Sequence, residues 1–169
     1  MARLAAFLRA VNVGGTGKLP MAELKGMCEE LGFSKVQTYI ASGNVVFETK
    51  LDADAARAKL LSRLEKHLGK TAEVFMRDAV ELQRLIDENP FPGAEGARHM
   101  VILLHEGPTA EMIRTARFQT DEVIKPGSRA LHVHYPSGMG VSKLKIPSAE
   151  KGTARNMNTI RKMLELAGG

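Results

Sequence analysis

The sequence predicts an α+β protein whose two halves repeat one order of elements, with an added C-terminal helix. Three observations predict it. Stretches of period-two alternation and of helical spacing follow each other as β-α-β-β-α-β through the first half. The order begins again after Asn89-Pro90-Phe91-Pro92-Gly93, where two prolines and a glycine break the chain. The chain of 169 residues, 44% hydrophobic and 25% charged, is long enough to bury its cores without a disulfide, and Cys28 is its one cysteine. The halves are residues 1–89 and 90–169.

Arg3 to Val11 reads as the first strand, with Leu4, Ala6 and Leu8 on one face and Arg3, Ala5, Phe7 and Arg9 on the other. Pro20 suits the first position of a helix that Gly32 stops, and Met21, Leu24, Met27, Cys28 and Leu31 form its apolar stripe. Val36–Ile40 and Val45–Phe47 read as strands joined by the turn residues Ser42-Gly43-Asn44. A helix from about Asp54 to His67 turns Leu60, Leu61, Leu64 and Leu68 inward, and Thr71–Arg77 is a fourth strand. Asp78 and Glu81 then stand in capping-box spacing at the start of another helix.

The second half reads as a strand over His99–His105 and a helix over about Thr109–Phe118. Strands over Asp121–Lys125 and Ala130–Tyr135 are joined through Pro126-Gly127. Residues 137–152 read as partly helical and interrupted by Pro147, and a last helix runs from about Ala154 to Ala167. The order β-α-β-β-α-β is the split βαβ pattern, so the predicted fold is a tandem of ferredoxin-like units. The repeat is one of elements rather than of letters.

Net charge is +5, and the segment from Val123 to Gly169 carries eight basic residues against two acids, a net of +6 that leaves −1 for everything before it. Such an excess points to an anionic partner, or to a solvated basic face. No apolar run approaches 18 residues, so no membrane span is expected. The apolar start is too short for a secretory leader and is interrupted by Arg9. The reading is a cytoplasmic protein, a monomer by default.

Leu8-Arg9-Ala10-Val11-Asn12-Val13-Gly14-Gly15, Thr38-Tyr39-Ile40-Ala41-Ser42-Gly43-Asn44-Val45-Val46-Phe47 and Thr153-Ala154-Arg155-Asn156-Met157-Asn158-Thr159, together with Asn89-Pro90-Phe91, resemble the bacterial family catalogued as domain of unknown function 1697. The resemblance spans nearly the whole chain and implies tandem ferredoxin-like units, but no activity. Ala10 stands where that family commonly has glycine and Met157 where it has tryptophan, so no stacking role at residue 157 is carried over.

Gly14-Gly15-Thr16-Gly17-Lys18 is not a phosphate loop of the Walker kind, because Asn12 and Leu19 occupy the places of its first glycine and its hydroxyl. It is not a dinucleotide fingerprint either, since Pro20 replaces the last glycine. His132 and His134 have a spacing that suits a metal, with His99 and His105 on an earlier strand, but no third ligand accompanies them. No metal and no cofactor are expected. Strand parity puts Phe7, Arg9, Tyr39, Phe47, Phe75 and Arg77 on one sheet face, a base-stacking pattern if open and a core if covered; the covered reading is favoured.

Arg155 at the start of a helix opposes the helix dipole unless an anion binds there. The sequence therefore reads as a binding module for an anionic ligand, a phosphorylated metabolite or single-stranded nucleic acid. The candidate contacts are Arg9, Asn12, Gly14, Gly15, Lys18, Ser42, Asn44, Ser142, Lys143, Arg155 and Asn156. Two other readings stay open: a small-molecule enzyme in the same cleft, using Ser42 or a histidine, and polar phrases that only lock the two halves together.

Overall fold

A computed structural model describes residues 1–9 and 19–168. The chain is α+β and divides into two compact units, Met1–Leu82 with Met163–Gly169, and Gln83–Lys162.

The first unit runs β1 (Ala2–Leu8), α1 (Met21–Glu30), β2 (Ser34–Thr38), β3 (Asn44–Thr49), α2 (Ala53–Leu68), β4 (Val74–Asp78) and the start of α3 (Ala79–Asp87). Its sheet has the order β2-β3-β1-β4, and its neighbouring strands are antiparallel. Leu4, Ala6 and Leu8 of β1 form one core with Leu24, Met27 and Cys28 of α1 and Ala56, Leu60 and Leu64 of α2, as the apolar spacings require. Burial and the neighbouring Glu29 push the Cys28 thiol up to about 12, so this cysteine is packing material and not a nucleophile.

The second unit carries the rest of α3 and then β5 (His99–Leu103), α4 (Ala110–Arg114), β6 (Val123–Gly127), β7 (Ala130–His134), β8 (Thr153–Asn156) and the start of α5 (Met157–Leu166). Its sheet order, β6-β7-β5-β8, is that of the first unit. The registers coincide as well. Ala5 faces Val46 and Arg77, and Val101 faces His132 and Arg155. Arg77 and Arg155 are thus equivalent, both are buried, and each donates from Nη1 to the carbonyl of the residue before it, at 2.8 and 2.9 Å.

The residue after each arginine caps the next helix. Asp78 Oδ1 accepts from the Glu81 N–H at 2.8 Å while Glu81 Oε1 accepts from the Asp78 N–H at 3.1 Å, the predicted capping box. Asn156 Oδ1 accepts from the Thr159 N–H at 2.9 Å. Asn156→Ala is therefore expected to cost about 1 kcal/mol, read as a lower urea midpoint with an unchanged slope.

Several expectations are corrected. Residues 153–156 are a strand and not the first turn of the last helix: Thr153 and Arg155 are buried, Ala154 between them is exposed, and β8 pairs with β5. The conflict of Arg155 with a helix dipole therefore does not arise. Pro126 and Gly127 belong to edge strand β6, where a missing N–H is tolerated, and the turn falls at Ser128-Arg129. Phe47 is on the helix side of its sheet, opposite Leu4 and stacked on Phe33 at 4.2 Å, because β3 begins at Asn44 opposite Phe7. Pro20 precedes α1 in an extended conformation instead of opening it. Where the first unit has α2, the second has only two short 3-10 turns, Met139–Val141 and Pro147–Ala149.

Candidate functional site

The sheet register of the second unit places three histidines on one face. His134 faces His99 across the β5–β7 pair, and His132 lies two residues before His134. His99 and His132 are 1% and 0% exposed. Their rings are joined directly, His99 Nε2 to His132 Nδ1 at 2.7 Å, and His132 Nε2 lies 3.0 Å from Glu88 Oε1. Glu88 follows α3, and its carboxylate also accepts from the Ser128 N–H and hydroxyl, each at 2.8 Å. The result is a chain of carboxylate, imidazole and imidazole running inward from a partly exposed acid.

The electrostatics follow from burial and these bonds. Burial by itself raises the Glu88 carboxyl, but His132 and the two Ser128 donors outweigh it and hold the acid below the ordinary carboxylate range. Burial, aided by the nearby charges of His132, Arg161 and His134, pulls His99 down to about 4. His99 is therefore neutral at physiological pH. With Glu88 ionised, His132 Nε2 donates to it, and His132 Nδ1 accepts from His99 Nε2–H when both rings are neutral.

Two local devices hold the chain in place. Asn89 Oδ1 accepts from the Phe91 N–H at 2.7 Å, and this turn sets Phe91 edge-on to His99 at 5.2 Å and tilted to His134 at 5.4 Å. Gly127 approaches so closely that a Cβ there would lie 2.5 Å from Glu88 Oε1 and 2.7 Å from the His132 ring. Among the described residues no group of three or more His, Cys, Asp or Glu is arranged to hold a metal ion.

Chemically, a carboxylate–imidazole pair orients a ring and stabilises its protonated form. Catalysis also requires that substrate reach the ring. Both imidazoles here are sealed, and the shallow hollow of the second unit is lined by other residues. The chain is a latch joining the end of α3 to β5, β7 and the β6–β7 turn.

The residues singled out in the sequence fall as follows. Asn12, Gly14, Gly15 and Lys18 lie outside the described residues. The Arg9 N–H donates to the Glu73 carbonyl. Ser42 and Asn44 close the β2–β3 hairpin: the buried Asn44 donates from Nδ2 to Ser42 Oγ and to the Tyr39 carbonyl, both at 2.9 Å. Ser142 donates its hydroxyl to Glu122 and accepts from the Leu144 N–H. That bond and the Thr120 N–H pull Glu122 down to about 2. Lys143 is exposed. Arg155 is buried, donates to Thr153 Oγ1 at 2.6 Å, and is lowered by burial to about 10, so it stays charged. Asn156 caps α5. Phe7, Phe47 and Phe75 are buried.

No local signal marks Glu88 or Ser128, because they stand 44 and 40 residues from the groups they meet. The spacing of His132 and His134 on one strand, with His99 on an earlier strand, is legible in the sequence, but the His99–His132 contact and the Glu88 partner are not.

Fold and site together define a duplicated α+β protein whose second unit holds a sealed carboxylate–imidazole–imidazole chain. The phrases at residues 8–15, 38–47, 89–91 and 153–159 carry the family resemblance. The chain belongs to the family described as protein of unknown function (DUF1697), whose family model matches residues 1–132. It is similar to a solved structure, the conserved bacterial protein SP0830 from Streptococcus pneumoniae, with 25% identity, 98% of each chain covered and a TM-score of 0.82. No curated protein matches it. Among the described residues no helix is long and apolar enough to cross a membrane.

Proposed function

We propose that this protein is a cytoplasmic binding module, a tandem of ferredoxin-like units, for a small anionic ligand such as a phosphorylated metabolite. The observation that carries the reading is where the basic excess resides. Lys125, Lys143, Lys151 and Arg161 are all exposed in the second unit, so their charge is available to solvent-borne anions. The strand order β2-β3-β1-β4, repeated as β6-β7-β5-β8, supports the ferredoxin-like assignment. Single-stranded nucleic acid is the weaker form of the reading. Base stacking needs open aromatic faces, and Phe7 and Phe75 are 0% and 1% exposed. The enzyme reading is the weaker one among the described residues, because the two imidazoles of the Glu88–His132–His99 chain are sealed from substrate.

The test is calorimetric titration with inorganic pyrophosphate and with a single-stranded RNA oligomer, each at low and at physiological salt. Pyrophosphate is expected to bind saturably and to weaken with salt, and Lys143→Ala with Lys151→Ala is expected to reduce its affinity severalfold. Binding of neither probe, or binding indifferent to salt and to both substitutions, overturns the reading. Tighter binding of the RNA oligomer restores the nucleic-acid form.

A further inference from the structure

The two units differ most where the first has α2. In the first unit Ala6 of β1 and Met76 of β4 face each other and share a core with Ala56, Leu60 and Leu64 of that helix. The equivalent pair in the second unit is Ile102 and Ala154. Among the described residues no helix of this unit takes the place of α2, because the connection between β7 and β8 contains Gly138, Gly140 and Pro147 and forms only 3-10 turns. Ile102 is half-buried and Ala154 exposed, and between them and Leu144 and Ile146 lies an open hollow of about 240 Å³.

Size and charge identify the occupant. One turn of helix, about 10 Å across and 5.4 Å long, fills roughly 420 Å³, so a partner helix does not fit. An apolar cavity of about 150 Å³ accepts benzene, which leaves room here for one ring and a short arm. Lys145 lines the hollow, and its backbone is fixed by two hydrogen bonds with Arg117, at 2.7 and 2.9 Å. Glu150 lines it too, and its charge opposes a second negative group on the ligand. Tyr135, a further wall, is held protonated by burial and by Glu122, which makes its phenol a donor.

We propose that this hollow binds a monocarboxylate with a single-ring or branched apolar body, the body resting on Ile102 and Ala154 and the carboxylate neutralised by Lys145. The site uses Lys145 and none of Lys125, Lys143, Lys151 and Arg161. It lies where the second unit has 3-10 turns and the first has α2.

The experiment is titration of 3-phenylpropionate into the full-length protein, followed by isoleucine methyl NMR. Saturable shifts are expected at Ile102 and Ile146 in the wild type. Lys145→Ala is expected to weaken binding about tenfold. Ala154→Met places in the hollow the residue that the first unit carries at Met76, and is expected to abolish binding while leaving pyrophosphate binding unchanged. Absence of saturable methyl shifts in the wild type overturns the inference whether or not Ala154→Met folds. Shifts that survive Ala154→Met in a folded protein overturn it as well. If pyrophosphate binds and the carboxylate does not, only the hollow is lost; if the carboxylate, pyrophosphate and the RNA oligomer all fail to bind, both readings are lost.

Discussion

Lowering the pH from 7 to 4 is expected to cost the folded protein about 3 kcal/mol through His99 alone. The sign follows from linkage. His99 titrates near 4 in the folded state against 6.5 for an ordinary histidine, so between those values the unfolded chain binds a proton that the folded protein refuses. Stability is therefore full above about pH 6.5 and falls steadily toward pH 4. The cause is burial, aided by the positive charge the ring would face from His132, Arg161 and His134. Glu88 acts in the same direction at the acid end. Its carboxyl lies below the ordinary range, so the stability it contributes is lost as the pH falls through its folded value. Urea midpoints measured from pH 7 to pH 4 check this. His99→Gln is expected to flatten the upper part of the curve, and parallel curves for variant and wild type would show that His99 is not the group responsible.

Gly127→Ala is expected to destabilise the protein by about 2–4 kcal/mol, although glycine to alanine within a strand ordinarily stabilises by a few tenths to about 1 kcal/mol. The reversal has a local cause. The new methyl would meet Glu88 Oε1 at 2.5 Å and the His132 ring at 2.7 Å, and His132, at 0% exposure, has nowhere to go. Glu88 must swing out, which leaves a buried imidazole N–H and the Ser128 N–H without their acceptor. A double-mutant cycle with Glu88→Ala separates this cause from general crowding. Once the carboxylate is gone, the part of the cost of Gly127→Ala that comes from displacing it should vanish and the contact with the His132 ring should remain, giving a coupling above about 1 kcal/mol. Additive losses would place the damage elsewhere.

The parts of the fold that were legible in the sequence are those fixed by short-range spacing. The stripe Leu24, Met27 and Cys28 and the leucines at 60 and 64 lie inward because helical periodicity leaves no other arrangement, and the Asp78–Glu81 capping box follows from a three-residue interval. Thr153-Ala154-Arg155-Asn156 misled the reading for the same reason. Four residues beside a helix share its composition, and only pairing with β5 makes them a strand. The repeat also extends to letters that the sequence did not announce. Arg77-Asp78 and Arg155-Asn156 occupy one structural position, a buried cation followed by a helix cap, but one shared arginine and an Asp/Asn match in isolation carry no signal until the registers are aligned.

By itself, then, the sequence determined the α+β class, the duplicated order of its elements, the buried cysteine and the basic bias of the C-terminal segment, all of which depend on neighbours within a few residues or on simple sums of charge. The tertiary structure alone decided that His99, His132 and Glu88 form one sealed chain, that Arg155 is buried on a strand, and that one copy of the repeat lacks the helix that covers the other. Each of those outcomes depends on strands that meet in space after tens of intervening residues, where chain connectivity conveys nothing about distance and only sheet register and close packing set it.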